Sequence, residues 1–319
     1  MKKSLYALLP LALGACAAPD AIAPAAPSAA VARLAPVTLD TARLGRLADG
    51  MNRSLVASGR SLRVAQMSFF TLGRGVPSYR RLRFGAWVDR TPEVVFDASD
   101  YTTQIAPEEV DAAMERAYAS WNRVARGGIV VRRGADDMPN PDLFDVPVYD
   151  DEGTCVSLFD DGATPLQTGS LAGDIVVGGW LPAQFFSECL GNSSVIGLTL
   201  TLVATDGTGA YVDGDGDGYA DIQYAEQYYN DSFQWVTAYA QFLGPDADLE
   251  SILVHENGHA IGLDHFGRLN LQPPIEVLLK RGNLFDPAAV MNEGYAGGEN
   301  RTPLPTDVAA VRTLYDSGR

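Results

Sequence analysis

The chain has 319 residues, 46% of them hydrophobic, which is enough for one large or two modest domains with a core and excludes a wholly disordered protein. Its formal net charge of −16 argues against a nucleic-acid partner, because phosphates repel an acidic surface. The acidity is explained most simply by the solubility of a well-hydrated exterior.

An export signal is predicted at the N-terminus. Two lysines after the initiator Met supply positive charge, and residues 5–13 form a short apolar core. Residues 13–16 read Leu-Gly-Ala-Cys and resemble the lipobox of bacterial lipoproteins, in which the cysteine becomes the lipidated first residue. The resemblance implies that residues 1–16 contain the signal peptide and lipobox, and that a lipid on Cys16 holds the protein at the bacterial outer membrane. The alternative is cleavage at a nearby small-residue site and plain secretion.

Residues 17–79 are predicted to form a tether and a small N-terminal segment ahead of the main domain, residues 80–319. Residues 17–35 are rich in Ala and Pro and poor in charge, which is typical of a flexible tether. Apolar residues at spacings of three and four predict a helix over residues 39–59, and a strand is predicted over residues 63–72. A cap, a pro-segment and the base of a stalk are all compatible with this segment.

Three cysteines are present, and the state expected for Cys155 and Cys189 depends on whether Cys16 carries lipid. If Cys16 carries lipid, Cys155 and Cys189 remain as a pair in an oxidising compartment and are predicted to form a disulfide. Such a bridge would stabilise the fold by about 4 kcal/mol through the entropy of the unfolded chain. The alternative is two buried free thiols.

Helices and strands follow one another along the main domain without an internal repeat. One amphipathic helix is predicted over residues 106–124, because four apolar residues share a face. These are Val110, Met114, Ala117 and Trp121. Residues 195–205 alternate apolar residues with threonine, which predicts a half-buried strand with Thr199 and Thr201 outward. The other predicted strands cover residues 93–97, 127–132, 174–180 and 220–226, the other helices cover residues 248–263 and 306–315, and residues 136–173 form a surface insertion.

The segment around residue 255 predicts a catalytic zinc site. His255 and His259 are four residues apart, so a helix places both imidazoles on one face. Gly262 can end the helix in a left-handed conformation and turn the chain so that His265 becomes the third ligand. Three neutral imidazoles leave one tetrahedral position open, as a catalytic zinc requires. The chain contains three histidines, and all of them lie in this motif.

Glu256 follows the first histidine and is the predicted general base. Zinc lowers the pKa of its bound water and polarises a scissile carbonyl. Glu256 then accepts the water proton and passes it to the leaving amine. The predicted reaction is the hydrolysis of peptide bonds, with a protein or peptide as substrate.

This segment resembles the elongated zinc motif of the metzincin peptidases, and further matches resemble the matrixin branch. Val290 and Met291 resemble the family's Met-turn, which implies that Met291 lies beneath the zinc as a floor that does not bind it. Tyr295, four residues later, would line the substrate pocket, although Glu293 stands where matrixins usually have proline. Residues 304–315 resemble the family's closing helix.

The resemblance covers roughly residues 80–319 and implies an α+β fold: a twisted, mostly parallel five-stranded sheet, a backing helix, a zinc helix and a small C-terminal subdomain. It also implies that residues 195–205 form the edge strand above the active cleft, to which an extended substrate adds by main-chain hydrogen bonds. Two family features are missing from the sequence, namely further histidines for a structural zinc and a cysteine-switch motif ahead of the domain.

An acidic loop between two predicted strands is a candidate calcium site. Its positions one, three, five and nine are Asp213, Asp215, Asp217 and Asp221. Tyr219 would contribute its backbone carbonyl, and hard oxygen ligands at this spacing suit calcium. Position twelve is Tyr224 rather than Glu, so the loop is not a complete EF-hand. The alternative is a solvated acidic turn.

Two other functions remain compatible with the sequence. One is a cell-surface binding module with a calcium-braced fold and an idle zinc site, which predicts zinc without turnover. The other is a metallohydrolase of cell-wall peptides, which predicts activity on peptidoglycan fragments and none on casein-like chains.

Overall fold

The computed structural model describes residues 39–72, 75, 77–81, 85–135, 148–149, 151, 155–157, 173–238, 246–269 and 285–316. Cys16, the expected tether and most of the expected insertion at residues 136–173 lie outside the described residues. The described part is a mixed sheet with α-helices packed against it, so the predicted α+β class is confirmed. Within that part, no helix is both long and apolar enough to cross a membrane.

Five α-helices and fifteen strands lie in the described residues. The helices are α1 (Thr41–Ala57), α2 (Pro107–Ala125), α3 (Ala183–Glu188), α4 (Leu249–Ala260) and α5 (Pro305–Tyr315). The strands are β1 (Leu62–Leu72), β2 (Tyr79–Arg80), β3 (Gly85–Trp87), β4 (Glu93–Phe96), β5 (Arg132–Arg133), β6 (Val148–Tyr149), β7 (Cys155–Ser157), β8 (Ile175–Leu181), β9 (Val195–Ala204), β10 (Ala220–Asn230), β11 (Gln234–Val236), β12 (Asp246–Asp248), β13 (Arg268–Leu269), β14 (Phe285–Asp286) and β15 (Gly294–Tyr295).

Nine of these strands form the main sheet, in the order β15-β1-β9-β10-β8-β4-β5, with β2 beside β1 and β3 beside β10. Strands β10, β8, β4 and β5 are parallel, whereas β9 is antiparallel to both of its neighbours, β1 and β10. The sheet is mostly parallel as expected, since five of its eight strand pairings in the described residues are parallel, but it has nine strands rather than the expected five. The reason is that β1 and several strands of two or three residues extend the sheet.

Strand β9 is internal to the sheet. β1 pairs with it along nearly its whole length, from Leu62 to Thr71. Two expectations about β9 are therefore wrong: it is not the edge strand, and Thr199 and Thr201 are buried rather than outward. The physical reason is that helices cover both faces of the sheet, so neither face of β9 meets solvent.

The hydrophobic core has two halves on opposite faces of the sheet. Helices α2, α4 and α5 pack in one half, and α1 and α3 pack in the other. The predicted apolar face of α2 is buried, and Trp121 Nε1 donates a hydrogen bond of 2.7 Å to the backbone oxygen of Val254 in α4. Helix α2 therefore packs behind α4, in the place that the resemblance implies for a backing helix.

The N-terminal segment is part of the main domain in the described residues. Asp40 caps α1 by accepting hydrogen bonds of 3.0 Å from the backbone nitrogens of Ala42 and Arg43, and the apolar residues of α1 are buried against the sheet. Strand β1 follows and is hydrogen-bonded to β9. Within the described residues, the segment 17–79 thus contributes a strand to the sheet of the segment 80–319, and the division of the chain at residue 80 stays a prediction.

Two element boundaries also differ from expectation. The strand expected over residues 127–132 is reduced to the two residues of β5, because α2 ends in a turn in which Gly127 has a positive φ angle. Helix α4 ends at Ala260, three residues earlier than expected, because Gly262 has a φ angle of 89°. That earlier end changes the direction of the chain just before the third histidine.

A disulfide joins β7 to the residue that follows α3. Cys155 and Cys189 are bonded, with their Cα atoms 4.9 Å apart, and both lie in the core half that contains α1. The pairing predicted from the sequence is therefore the one present. It ties a described part of the insertion to the main domain.

Candidate metal centre

Helix α4 carries the candidate site and is buried on all sides. Every residue over 251–260 is buried, including the polar ones. Asp248 caps the helix by accepting a hydrogen bond of 2.9 Å from the backbone nitrogen of Ser251, and it forms an ion pair with Arg301. Polar side chains in such a helix need partners inside the protein, and those partners define the site.

The three predicted histidines converge at the C-terminal end of α4. The Nε2 atom of His259 lies 3.1 Å from Nε2 of His255 and 3.1 Å from Nε2 of His265, and the remaining pair is 3.3 Å apart. Gly262 makes this possible, since a Cβ there would lie 2.5 Å from the backbone oxygen of Gly85. The three side chains could therefore hold one metal ion.

The protonation of two rings indicates why the cluster favours a cation. Nδ1 of His255 donates to the backbone oxygen of Val290 and Nδ1 of His259 donates to that of Leu263, both at 2.8 Å. A carbonyl only accepts, so Nδ1 carries the proton and Nε2 carries the lone pair. Burial lowers the pKa of all three histidines, to about 4 for His259, which keeps the rings neutral. Facing lone pairs cannot hydrogen-bond to each other, whereas a metal ion accepts both.

The N-terminal segment also contacts the histidines. The ring of Phe70 in β1 stacks on His255, with centroids 3.6 Å apart and 7° between the planes. Ser78 Oγ lies 3.4 Å from Nδ1 of His265. Residues ahead of the expected main domain therefore help to orient two of the three imidazoles.

Glu256 is fully buried one residue after the first histidine. Its Oε2 accepts a hydrogen bond of 2.5 Å from Thr199 Oγ1 in β9, and its Oε1 has no hydrogen-bond partner among the described residues. Gly197 leaves room for this carboxylate, because a Cβ there would lie 2.3 Å from Oε1. Burial raises the pKa of Glu256 to about 8, against the lowering effect of the Thr199 hydrogen bond. One oxygen is therefore fixed, and the other is available to a proton.

Met291 packs against the C-terminal part of helix α4. Its Sδ lies so close to Gly258 that a Cβ there would be 2.2 Å from the sulfur. Asp307, in the first turn of α5, accepts hydrogen bonds from the backbone nitrogens of Val290 at 2.8 Å and of Met291 at 3.1 Å. Because the oxygen of Val290 binds His255, this turn also orients a metal-site ring. The position of Met291 agrees with that expected, and its role as a floor beneath a metal stays a prediction.

Tyr295 is buried beside a cavity. Its hydroxyl donates to the backbone oxygen of Gly298 at 2.8 Å and accepts from the backbone nitrogen of Asp248 at 3.1 Å. Its ring lies edge-on to that of Phe70, with centroids 5.8 Å apart. Both rings line a cavity of about 220 Å³ together with Val290. The role of Tyr295 in substrate binding stays a prediction, but the cavity lies next to the Phe70 ring that stacks on His255.

Three residues that support the site are not among those predicted from the sequence. Thr199 was expected to face solvent and instead binds Glu256. Asp264 accepts a hydrogen bond of 2.8 Å from the backbone nitrogen of His265 and forms an ion pair with Arg80. Asp307 binds the turn at Met291. Single acidic residues carry no spacing signal, so no pattern in the sequence could have distinguished the two aspartates from ordinary surface residues.

The acidic loop brings three of its four aspartates together. Carboxylate oxygens of Asp213, Asp215 and Asp221 lie within 4.8 Å of one another and could hold a cation. Asp217 is not part of this group, and its Oδ1 accepts a hydrogen bond of 2.8 Å from the backbone nitrogen of Tyr219. Burial and the neighbouring carboxylates raise the pKa of Asp221. A bound cation would relieve this crowding of negative charge.

Comparison of the chain with known proteins identifies no relative. No family model matches the chain, and a search of curated proteins finds no match. The interpretation of the site therefore depends on its own geometry and chemistry.

Proposed function

We propose that the protein is a zinc-dependent endopeptidase of the metzincin type, which hydrolyses peptide bonds in protein substrates. The observation that carries the proposal is the convergence of three imidazole nitrogens within 3.1–3.3 Å of one another on and after one helix. The next residue after the first histidine is a buried glutamate with one oxygen free of hydrogen bonds from the described residues. The proposal is thus based on the site, because a fold alone does not define an activity.

Zinc is the metal that suits these ligands best. Tetrahedral Zn–N bonds of about 2.0–2.1 Å place the ligand nitrogens about 3.3–3.4 Å apart, close to the observed Nε2 separations. Three protein ligands leave a fourth position for water or substrate, which distinguishes catalytic from structural zinc sites. When bound, zinc would supply a Lewis acid that lowers the pKa of a water molecule and polarises a carbonyl.

Glu256 would hold and move the proton in this reaction. Thr199 fixes Oε2, so Oε1 is the oxygen that can take a proton from water and deliver it to the leaving amine. Burial raises the pKa of Glu256 to about 8, and a zinc ion on the neighbouring histidines would lower that pKa again and favour the carboxylate that a general base requires. Burial also excludes bulk water, which strengthens each of these interactions.

Several features of the fold support the metzincin assignment. A mixed sheet packs over a buried helix that carries two of the histidines. A turn at Gly262 brings the third histidine back to the first two. Met291 then packs against that helix, and α5 holds the Met291 turn through Asp307. These features agree with the arrangement that the sequence resemblance implies.

A proteome digest tests the proposal. We expect the zinc-loaded full chain to cleave a denatured protein mixture at internal bonds, read by mass spectrometry as new peptide termini. A zinc chelator should stop this cleavage, because the Lewis acid is removed. Zinc binding without any cleavage, both in the wild type and in a Phe70→Ala variant that lacks the ring stacked on His255, would instead favour the binding module with an idle site. Cleavage confined to peptidoglycan fragments would favour the cell-wall hydrolase.

We also propose that the acidic loop holds a structural calcium ion. Carboxylates at this spacing offer the hard oxygen ligands that calcium prefers, and Asp217 and the Tyr219 carbonyl complete the expected ligand set. The loop connects β9 to β10, and β9 carries Thr199. The ion would therefore brace two strands that lie against the metal centre, without taking part in the chemistry.

Calcium removal is expected to lower the melting temperature by roughly 5 °C or more and to leave the zinc content unchanged, because the histidine site has no carboxylate ligand. Asp215→Asn combined with Asp221→Asn should cause the same loss in the presence of calcium. Asp206→Asn is the matched control, since it removes one charge from a neighbouring turn outside the cluster. Melting that does not respond to millimolar calcium would identify the loop as an ordinary acidic turn.

Export and lipidation at Cys16 remain proposals, since Cys16 lies outside the described residues. The lysines, apolar run and lipobox of residues 1–16 support them. An anchor there would hold the domain at the bacterial outer membrane. The mass of the intact mature protein tests this: a chain that begins at Cys16 with added acyl mass supports the anchor, and a chain that begins later supports plain secretion.

A further inference from the structure

Strand β1 bridges the two walls of the metal centre. On one side it is antiparallel to β9 over most of its length, and on the other it is parallel to β15, with Thr71 opposite Gly294 and Leu72 opposite Tyr295. Beyond β1, Gly75 lies so close to Glu293 that a Cβ there would be 2.4 Å from its backbone carbon. The chain is therefore hydrogen-bonded into a groove between β9 and the segment that follows Met291.

The register places β1 directly at the candidate active site. Phe70 is paired with Gly197, and Gly197 is the residue whose Cα abuts the Glu256 carboxylate. The Phe70 ring stacks on His255, lies edge-on to Tyr295 and, with Tyr295, lines the 220 Å³ cavity. Strand β1 therefore lies against His255, the surroundings of Glu256 and the cavity. It occupies the position that a bound peptide would need.

We infer that the groove between β9 and β15 is the binding site for an extended peptide with an aromatic side chain at the Phe70 position, and that β1 is its resident occupant. This inference rests on the proposed peptidase function and adds its regulation: the site is closed by the protein's own chain until β1 is displaced. Peptides commonly bind to exposed strand edges by main-chain hydrogen bonds, and β1 makes such bonds to both walls. The chain thus blocks its own cleft without a cysteine ligand.

Side-chain packing on both faces of β1 keeps the strand in the groove. Phe70 faces the metal centre, whereas Met67 and Phe69 belong to the core half that contains α1. If only a small fraction of chains has β1 displaced, the apparent affinity for an external peptide falls by that same fraction. Weakening the Phe70 contact alone should raise the displaced fraction and leave the α1 side of the strand intact.

Peptide binding by the zinc-loaded full chain tests the inference without requiring turnover. The probe is a fluorescent peptide with the sequence of residues 62–72, and binding is read by fluorescence anisotropy. We expect Phe70→Ala to bind it at least about tenfold more tightly than the wild type does. Phe96→Ala is the matched control, because Phe96 is a buried phenylalanine of the same core half on the distant strand β4. It should bind the probe as the wild type does.

Cleavage of the same peptide separates the two proposals. Tighter binding and faster cleavage by Phe70→Ala would support both, and tighter binding without cleavage would support the inference and contradict the peptidase function. If every variant cleaves with the same kcat/KM, or if a folded Phe70→Ala binds the probe no better than the wild type, β1 is a permanent core strand and the inference is wrong. If Phe70→Ala fails to fold, Phe70→Leu takes its place and must bind the probe more tightly than the wild type does. Phe96→Leu is then the control and must bind the probe as the wild type does.

Discussion

Glu256→Gln is expected to lower kcat by roughly two to four orders of magnitude while the protein keeps its fold and its zinc, because an amide cannot accept a proton from water. The substitution is nearly isosteric, so the hydrogen bond from Thr199 to the retained side-chain oxygen can persist. The glutamine is neutral like the protonated acid that burial favours, so stability should not suffer. Activity is read with the peptide-digest assay, and zinc content is read by metal analysis.

Glu250→Gln provides the control for this prediction. Glu250 lies in the first turn of the same helix and pairs with Arg116, away from the histidines. Its loss removes a charge from α4 and is expected to leave kcat unchanged, because its partner Arg116 lies on the exposed side of the helix and not at the histidines. If Glu256→Gln cleaves peptides at the wild-type rate, Glu256 is not the general base and the mechanism is wrong.

His265→Ala is expected to lose zinc on dialysis under conditions in which the wild type retains it. Loss of a residue that only supports a ligand costs about 10–100-fold in metal affinity, so loss of a direct ligand should cost more. Two imidazoles of α4 remain, with Nε2 atoms 3.1 Å apart, and they leave the ion under-coordinated. The wild type should also melt at a higher temperature with zinc than without it, and the variant should not, because stabilisation follows binding.

Phe266→Ala is the control for the zinc prediction. Phe266 follows His265, and its contact with the turn at Met291 is a backbone hydrogen bond of 2.8 Å that an alanine retains. This variant should keep its zinc. Undiminished zinc in His265→Ala would show that His265 is not a ligand, and the proposal of a three-histidine catalytic site would then be wrong.

Local spacing accounts for what could be predicted correctly. Two histidines four residues apart must share a helix face, and a glycine three residues after the second allows the chain to turn. The structure brings His255, His259 and His265 together as these local rules require. The amphipathic face of α2 and the cysteine pair were also predictable, one from periodicity and one from the small number of thiols.

Long-range pairing accounts for what could not be predicted. Whether Thr199 faces solvent or Glu256 depends on what covers that face of β9, and alternation along a strand does not contain this information. Asp264 and Asp307 are likewise functional candidates only because Arg80 and the Met291 turn lie opposite them. Such partners are distant in sequence, and their contact carries no local pattern.

Residue spacing along the chain specifies the candidate metal centre, since three imidazoles and a carboxylate at these spacings provide candidate ligands and a candidate base through local helix geometry. It also determined the acidic loop, whose carboxylates are neighbours in the chain. The place of the N-terminal segment, by contrast, depends on long-range contacts. Strand β1 could have been a stalk, a cap or a pro-segment, and its pairing with β9 and β15 puts Phe70 on His255. That pairing joins residues more than a hundred positions apart, so it depends on the free energy of the whole sheet and not on any local propensity.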